Sequence, residues 1–215
     1  MLLVREADRR AVLALDGPGR SPEEEAFAAA IAPSARHFVS TRFGGVSAAP
    51  YASLNLSTAT GDDPERVAEN VRRLMLRLDG ASRVGLVDQV HGNTVVDIGR
   101  PGDDGREVMH PSPAAPAAFL ARSDCGADAM VCREPGVCLV VRIADCVPVL
   151  VLAADVPAVV AVHAGWRGTV GGIAARAVEV LSDRWGADPG QMRAFIGPSI
   201  GPDDYEVGPD FIESV

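Results

Sequence analysis

Val137-Cys138-Leu139-Val140-Val141-Arg142-Ile143 is a near-continuous apolar run of strand length. Such a run is expected when both faces of a strand are covered. Val147 to Leu152 reads as the next strand after a short break. Val156 to Val162 is a third, and it leads straight into His163-Ala164-Gly165-Trp166-Arg167-Gly168-Thr169. A helix is expected next, with Val170, Ile173, Ala174, Ala177, Val178 and Leu181 on one face and Gly186 past its end. Met192 to Ile196 predicts a further short strand before a Gly197-Pro198 turn.

Upstream, the clearest helix is expected from about Pro64 to Leu78. Asp63 can cap it, Pro64 suits its first turn, and Gly80 stops it. Val67, Val71, Leu74, Met75 and Leu78 form one stripe, with Glu65, Arg66, Glu69, Arg72 and Arg73 facing away. Asp62 and Asp63 are then explained as helix-start residues. A short strand, His37 to Arg42, runs into Gly44-Gly45, a pair that indicates a tight turn or a close backbone approach. A capped helix is also expected to begin at Ser21. Arg100 to Ala121, rich in Pro, Gly, Asp and Ala, reads as a long surface excursion. A length of 215 residues suggests one domain.

Composition narrows the function. A formal charge of −9 argues against wrapping nucleic acid, which needs clustered Lys and Arg, but leaves room for a local basic pocket for one small anion. The N-terminus scatters charges through its apolar stretch and is not a signal peptide, and no run approaches a membrane span of roughly 18 apolar residues. The four cysteines, Cys125, Cys132, Cys138 and Cys146, match neither a CxxC ribbon nor a secreted framework. They read as reduced thiols in the cytoplasm.

Three residues stand at strand ends, where a rigid sheet presents reactive groups. His91 closes a short strand before Gly92, Cys146 sits in the break between two strands, and His163 ends the Val-rich strand. Imidazole and thiolate suit zinc, and three protein ligands leave a fourth position for water, as in catalytic sites. Spacing alone does not show that they converge, and satisfied polar histidines with a core thiol are the simpler reading. The same residues also form a metal-free alternative. There Cys146 is a nucleophile activated by His163, with Asp145 orienting the base, in a thiol hydrolase.

Gly165 to Thr169, ahead of a helix, offers an anion pocket in which Arg167, helped by Arg42, supplies forked donors. A plain glycine-rich turn explains it equally well. Trp166 serves as a packing residue or as a flat wall against a ring. His37 and His110 read as structural or solvated, and Asp128 or Asp145 as residues that orient a ligand histidine.

Taken together, the motifs resemble a known family. They are Thr41-Arg42-Phe43-Gly44-Gly45-Val46-Ser47, Tyr51-x-Ser53-Leu54-Asn55-Leu56, Gly61-Asp62-Asp63, Gln89-Val90-His91-Gly92, Ala127-Asp128-Ala129, Ala144-Asp145-Cys146-x-Pro148, Val162 to Gly168 and Ile196-Gly197-Pro198-x-Ile200-Gly201-Pro202. In this order, from about residue 36 to 210, they resemble the YfiH or laccase-domain family, whose members are also called multicopper polyphenol oxidases or purine nucleoside phosphorylases.

The resemblance implies a single α+β domain with mixed sheets flanked by helices, in which His91, Cys146 and His163 bind one zinc, or copper in its place. It implies phosphorolysis of adenosine, inosine, guanosine and methylthioadenosine, with adenosine deamination beside it. Arg42, Asn55, Gln89 and Arg167 would then bind nucleoside and phosphate, and Arg167 would also act in catalysis. Other members are described as copper laccases or as peptidoglycan editing factors, the latter consistent with an amide hydrolase. Laccase chemistry fits poorly, because several copper ions need many imidazoles and the chain has four histidines.

Two departures follow from the resemblance. Many members carry cysteines where this chain reads Gly201-Pro202-Asp203-Asp204-Tyr205, so any role for those thiols is absent. Members also continue beyond the position of Val215 through another helix and a Cys-Thr and Phe-Phe-Ser-Tyr-Arg region. The C-terminal part of the family fold is therefore expected to be missing from these residues. A non-catalytic binding module is the third reading that this leaves open.

Overall fold

The computed structural model describes residues 2–5, 35–76, 83–98 and 126–212. The helix expected at Ser21, the stop at Gly80, and the excursion from Arg100 to Ala121 with His110 lie outside them, as does Cys125. Two mixed sheets form the frame. The first has four strands in the order β2-β1-β6-β3, namely β2 (Ala35–Phe38), β1 (Leu2–Arg5), β6 (Val137–Val140) and β3 (Arg83–Gly85). The second has five in the order β4-β5-β8-β7-β9, namely β4 (Val95–Asp97), β5 (Ala129–Cys132), β8 (Ala158–Ala164), β7 (Val147–Ala153) and β9 (Met192–Ile196).

Side-chain alternation explains how the sheets stack. On β6, Val137 and Leu139 join Met130, Cys132, Leu150, Leu152, Val159 and Ala161 of the second sheet in one buried cluster. Cys138 and Val140 point the other way, into a cluster with Phe38, Val71, Leu74 and Met75. Successive residues of a strand face opposite sides, so both faces of β6 are buried, as its unbroken apolar sequence requires.

The outer face of the first sheet is covered by α1 (Pro64–Met75). The outer face of the second packs Ala129, Val131, Val160 and Val162 against Ile173, Ala177 and Leu181. These last belong to α3 (Ile173–Trp185). The result is helix, sheet, sheet, helix. Each sheet has two apolar faces because each is covered twice.

α1 starts as its sequence indicates. The Asp63 side chain accepts from the Glu65 N–H, and Pro64 occupies the first turn, where a missing N–H costs nothing. The described helix ends at Met75, with Leu76 exposed, and the expected end at Leu78 lies outside the described residues.

The expected single helix after His163 is two. α2 (Trp166–Val170) stops at Gly171, and Gly172 at φ 73° resets the chain before α3. That break rotates the apolar stripe. Val170 and Ala174 face solvent, while Ile173, Ala177 and Leu181 are buried. Likewise the strand expected from His37 to Arg42 runs over Ala35–Phe38, and the chain then leaves the sheet.

Asn70, fully buried on α1, ties the loop after Gly44 to the helix. Its Oδ1 accepts from the Val46 N–H, and its Nδ2 donates to Ser47 Oγ and to the Ser53 and Asn55 carbonyls. No helix among the described residues is long and apolar enough to cross a membrane.

Candidate metal centre

Topology brings the strand-end residues to one edge of the second sheet. β4 runs parallel to β5, while β8 runs antiparallel to both β5 and β7. The starts of β4, β5 and β7 therefore meet the end of β8. His163 is the penultimate residue of β8 and pairs with Pro148 on β7. Cys146 immediately precedes β7, Asp128 immediately precedes β5, and the His91 loop leads into β4.

There the donor atoms of His91, Cys146 and His163 lie within 4.8 Å of one another. The His91 and His163 rings meet edge to face, with centroids 4.8 Å apart. His91 is exposed, Cys146 half-buried and His163 buried, so the cluster opens to solvent on one side. Among the described residues, this is the one His, Cys, Asp or Glu group whose geometry suits a metal ion.

Several features hold the donors in place. Asp128, completely buried, accepts from His163 Nδ1 at 2.8 Å. A carboxylate only accepts, so Nδ1 carries the proton and Nε2 keeps a free lone pair. Asp128 also accepts from the N–H groups of Val90, His91 and Gly92. His91 has φ 60°, a conformation that side chains other than glycine adopt at a cost of roughly 1–2 kcal/mol. Gly165 supplies the remaining room. A Cβ there would stand 2.7 Å from His91 Cδ2 and 3.3 Å from Cys146 Sγ. Gly168 lets α2 approach the same loop, since its Cβ would stand 2.7 Å from the Gly92 carbonyl oxygen. The glycines of His163 to Thr169 thus have a packing reason that the sequence left undecided.

Electrostatics agree with a cation-binding role. Burial lowers the His163 pKa despite the Asp128 carboxylate beside it, favouring the neutral imidazole that a metal requires. Burial, with Asp145 and Asp128 adding to it, raises the Cys146 thiol. Two carboxylates near a thiol disfavour its anion until a cation compensates.

The remaining predicted residues fall elsewhere or are engaged. Arg167 is exposed, with its guanidinium 4.0 Å over the Trp166 ring. Trp166 in turn meets Phe211 edge to face. Arg42 donates through Nε and Nη2 to the Ala52 carbonyl. Asn55 Nδ2 reaches Ser57, Thr60 and Asp62 within its own turn. Gln89 bonds the Arg142 backbone through both ends of its amide, joining the His91 loop to the end of β6. Asp145 is exposed, and its carbonyl accepts from the Ile200 N–H. Of Asp128 and Asp145, Asp128 is the one that contacts a histidine of the cluster among the described contacts. His37 is buried against the Phe195 ring.

Comparisons with known proteins point in one direction. A family model described as multi-copper polyphenol oxidoreductase laccase matches residues 36–215. A purine nucleoside phosphorylase of Deinococcus radiodurans is 41% identical over 175 residues, covering 81% of this chain and 60% of that protein. Purine nucleoside phosphorylase YfiH of Escherichia coli is 36% identical, covering 81% and 63%. Among solved structures, YlmD from Geobacillus stearothermophilus superposes with a TM-score of 0.67 at 35% identity, covering 81% of this chain and 62% of that one. The chain spans about 60% of the length of the curated relatives it matches.

Proposed function

Because this chain belongs to the laccase-like YfiH family, we propose that it is a zinc-dependent purine nucleoside phosphorylase with adenosine deamination as a side activity. Adenosine, inosine, guanosine and methylthioadenosine are its proposed nucleosides, and the cytoplasm its proposed compartment. The observation that carries this reading is the convergence of His91, Cys146 and His163, three sequence-distant donors within 4.8 Å. The residues fit a zinc ion chemically. Two imidazoles and a thiolate are a borderline-soft donor set, and the His163 proton is fixed on the nitrogen facing Asp128. A zinc ion held by these three residues would supply Lewis acidity. Copper accepts the same donors and is the second candidate ion.

In phosphorolysis, a phosphate oxygen bonds to the ribose C1′ as the C1′–N bond to the base breaks. The bond's electron pair leaves with the base, which takes up the proton that the attacking hydrogen phosphate loses, and ribose phosphate is the second product. Arg167, exposed beside the centre on α2, is the proposed partner of the phosphate. Arg42 joins it only by giving up the Ala52 carbonyl, and Asn55 and Gln89 only by exchanging loop bonds for substrate. Trp166 is the proposed wall for the base.

A metal-free thiol hydrolase is disfavoured, because such a nucleophile needs a depressed thiol pKa and the surroundings of Cys146 raise it. The test is purified protein with measured zinc, adenosine and phosphate, followed by chromatography. Adenine and ribose phosphate are expected, and His163→Ala should lose metal and turnover together. Absence of base release at full zinc occupancy would contradict the reading.

A further inference from the structure

We infer that Asp128 is the positioning residue of the metal centre, one buried carboxylate that sets both histidine arms before any ion arrives. The inference rests on reading His91, Cys146 and His163 as metal ligands. Four donors converge on this side chain, and they divide evenly. Oδ1 takes the His91 N–H at 2.9 Å and His163 Nδ1 at 2.8 Å. Oδ2 takes the Gly92 N–H at 2.7 Å and the Val90 N–H at 3.3 Å.

The backbone anchors the carboxylate in turn. The Asp128 N–H donates to the Thr94 carbonyl, and the Asp128 carbonyl accepts from the His163 N–H at 2.7 Å. Asp128 therefore grips β8 through its main chain and through the His163 ring at once. Its other grip is on three successive N–H groups of the His91 loop. That ring of donors holds His91 in its left-handed conformation, φ 60°, which an unsupported histidine would leave. A carboxylate is required rather than an amide. Asparagine offers one accepting oxygen and one NH2 group, so either orientation turns a donor onto two of the four donors. With the amide NH2 in place of Oδ2, the Gly92 and Val90 N–H groups lose their acceptor; in place of Oδ1, the His91 N–H loses its acceptor and His163 Nδ1 stays bonded only by giving up its proton.

The experiment uses the 215-residue chain and its Asp128→Asn and Asp128→Glu variants, with zinc and cobalt as probes. In the parent, cobalt should give the visible spectrum of a site with nitrogen and sulfur ligands. Asp128→Asn should bind zinc roughly 10–100-fold more weakly in chelator competition, with a changed cobalt spectrum. Asp128→Glu keeps the charge but moves the oxygens by a methylene, and it should recover zinc affinity only in part.

A second measurement needs no variant. In the metal-free parent, NMR should show the His163 proton on Nδ1 and slow exchange of the His91 and Gly92 amides. If those amides exchange at free-peptide rates, the carboxylate does not hold the loop and the inference is overturned. Parent-like zinc affinity with an unchanged cobalt spectrum in Asp128→Asn overturns it while leaving the metal reading intact. A parent chain that takes up neither ion overturns the metal reading, and the inference with it.

Discussion

A methyl group placed on Gly165 would sit 2.7 Å from His91 Cδ2 and 3.3 Å from Cys146 Sγ. Carbon atoms pack comfortably at about 3.5–4.0 Å, so the His91 ring must withdraw by roughly 1 Å. Metal sites tolerate errors of about 0.5 Å in their supporting geometry. The backbone raises no objection to alanine, since Gly165 has φ −69° and ψ 167°. The imidazole is exposed and can swing outward without disturbing the core. Gly165→Ala should therefore spare the fold, changing metal-free stability by less than about 1 kcal/mol.

The ion should be affected much more. Loss of a residue that merely supports a ligand costs about 10–100-fold in affinity, and here a proposed ligand itself is displaced. A drop of about 100-fold, or about 2.7 kcal/mol, is the expected size. Competition against a chromophoric chelator reads the affinity, and urea unfolding of the metal-free protein reads the fold. Parent-like zinc affinity in Gly165→Ala would refute the packing argument. So would a loss of several kcal/mol in the metal-free protein, because the ring would then be part of the core.

Two further outcomes concern the frame around the site. Asn70→Ala leaves the Val46 N–H and the Ser53 and Asn55 carbonyls without their buried partner. It should cost about 2–4 kcal/mol in urea unfolding while zinc stoichiometry stays as in the parent. Glu69, clasped by Arg72 and then Arg73, has its carboxyl pKa lowered from 4.5 to about 2. A lowered pKa gives a stabilising contribution that is present above pH 4.5 and fades as pH falls toward 2. Carboxyl-resolved NMR should find the Glu69 midpoint near 2, and a midpoint near 4.5 would show that the ion pairs do not form in solution.

Much of this fold could be read from residue order because its sheets have two apolar faces. Val137 to Val140 cannot alternate when both neighbours are apolar, and the unbroken run announced a covered sheet. The start of α1 was equally legible, since Asp63 accepts from an N–H only two residues away and Pro64 has no N–H to satisfy. The phase of the helix after His163 was not. Gly172 at φ 73° resets the helical period, which no count of apolar positions across Gly171-Gly172 can register.

At the site, the strand ends pointed to His91, Cys146 and His163, yet spacing could not show their convergence. That depends on β8 running antiparallel to both β5 and β7. In the sequence, nothing separated Asp128 from Asp145 as the residue that orients a histidine. Its hold on three N–H groups 36 to 38 residues away is a tertiary fact. Asn70 left no signal at all, because a polar residue inside an amphipathic helix looks like any solvated one.

Metal content of the purified chain bears most directly on the three-ligand centre. Elemental analysis should find about one zinc, or one copper in its place, per chain. Cys146→Ala and His163→Ala should each remove it while remaining folded. A metal-free parent, or a His163→Ala variant that retains the full complement, would contradict the centre described here.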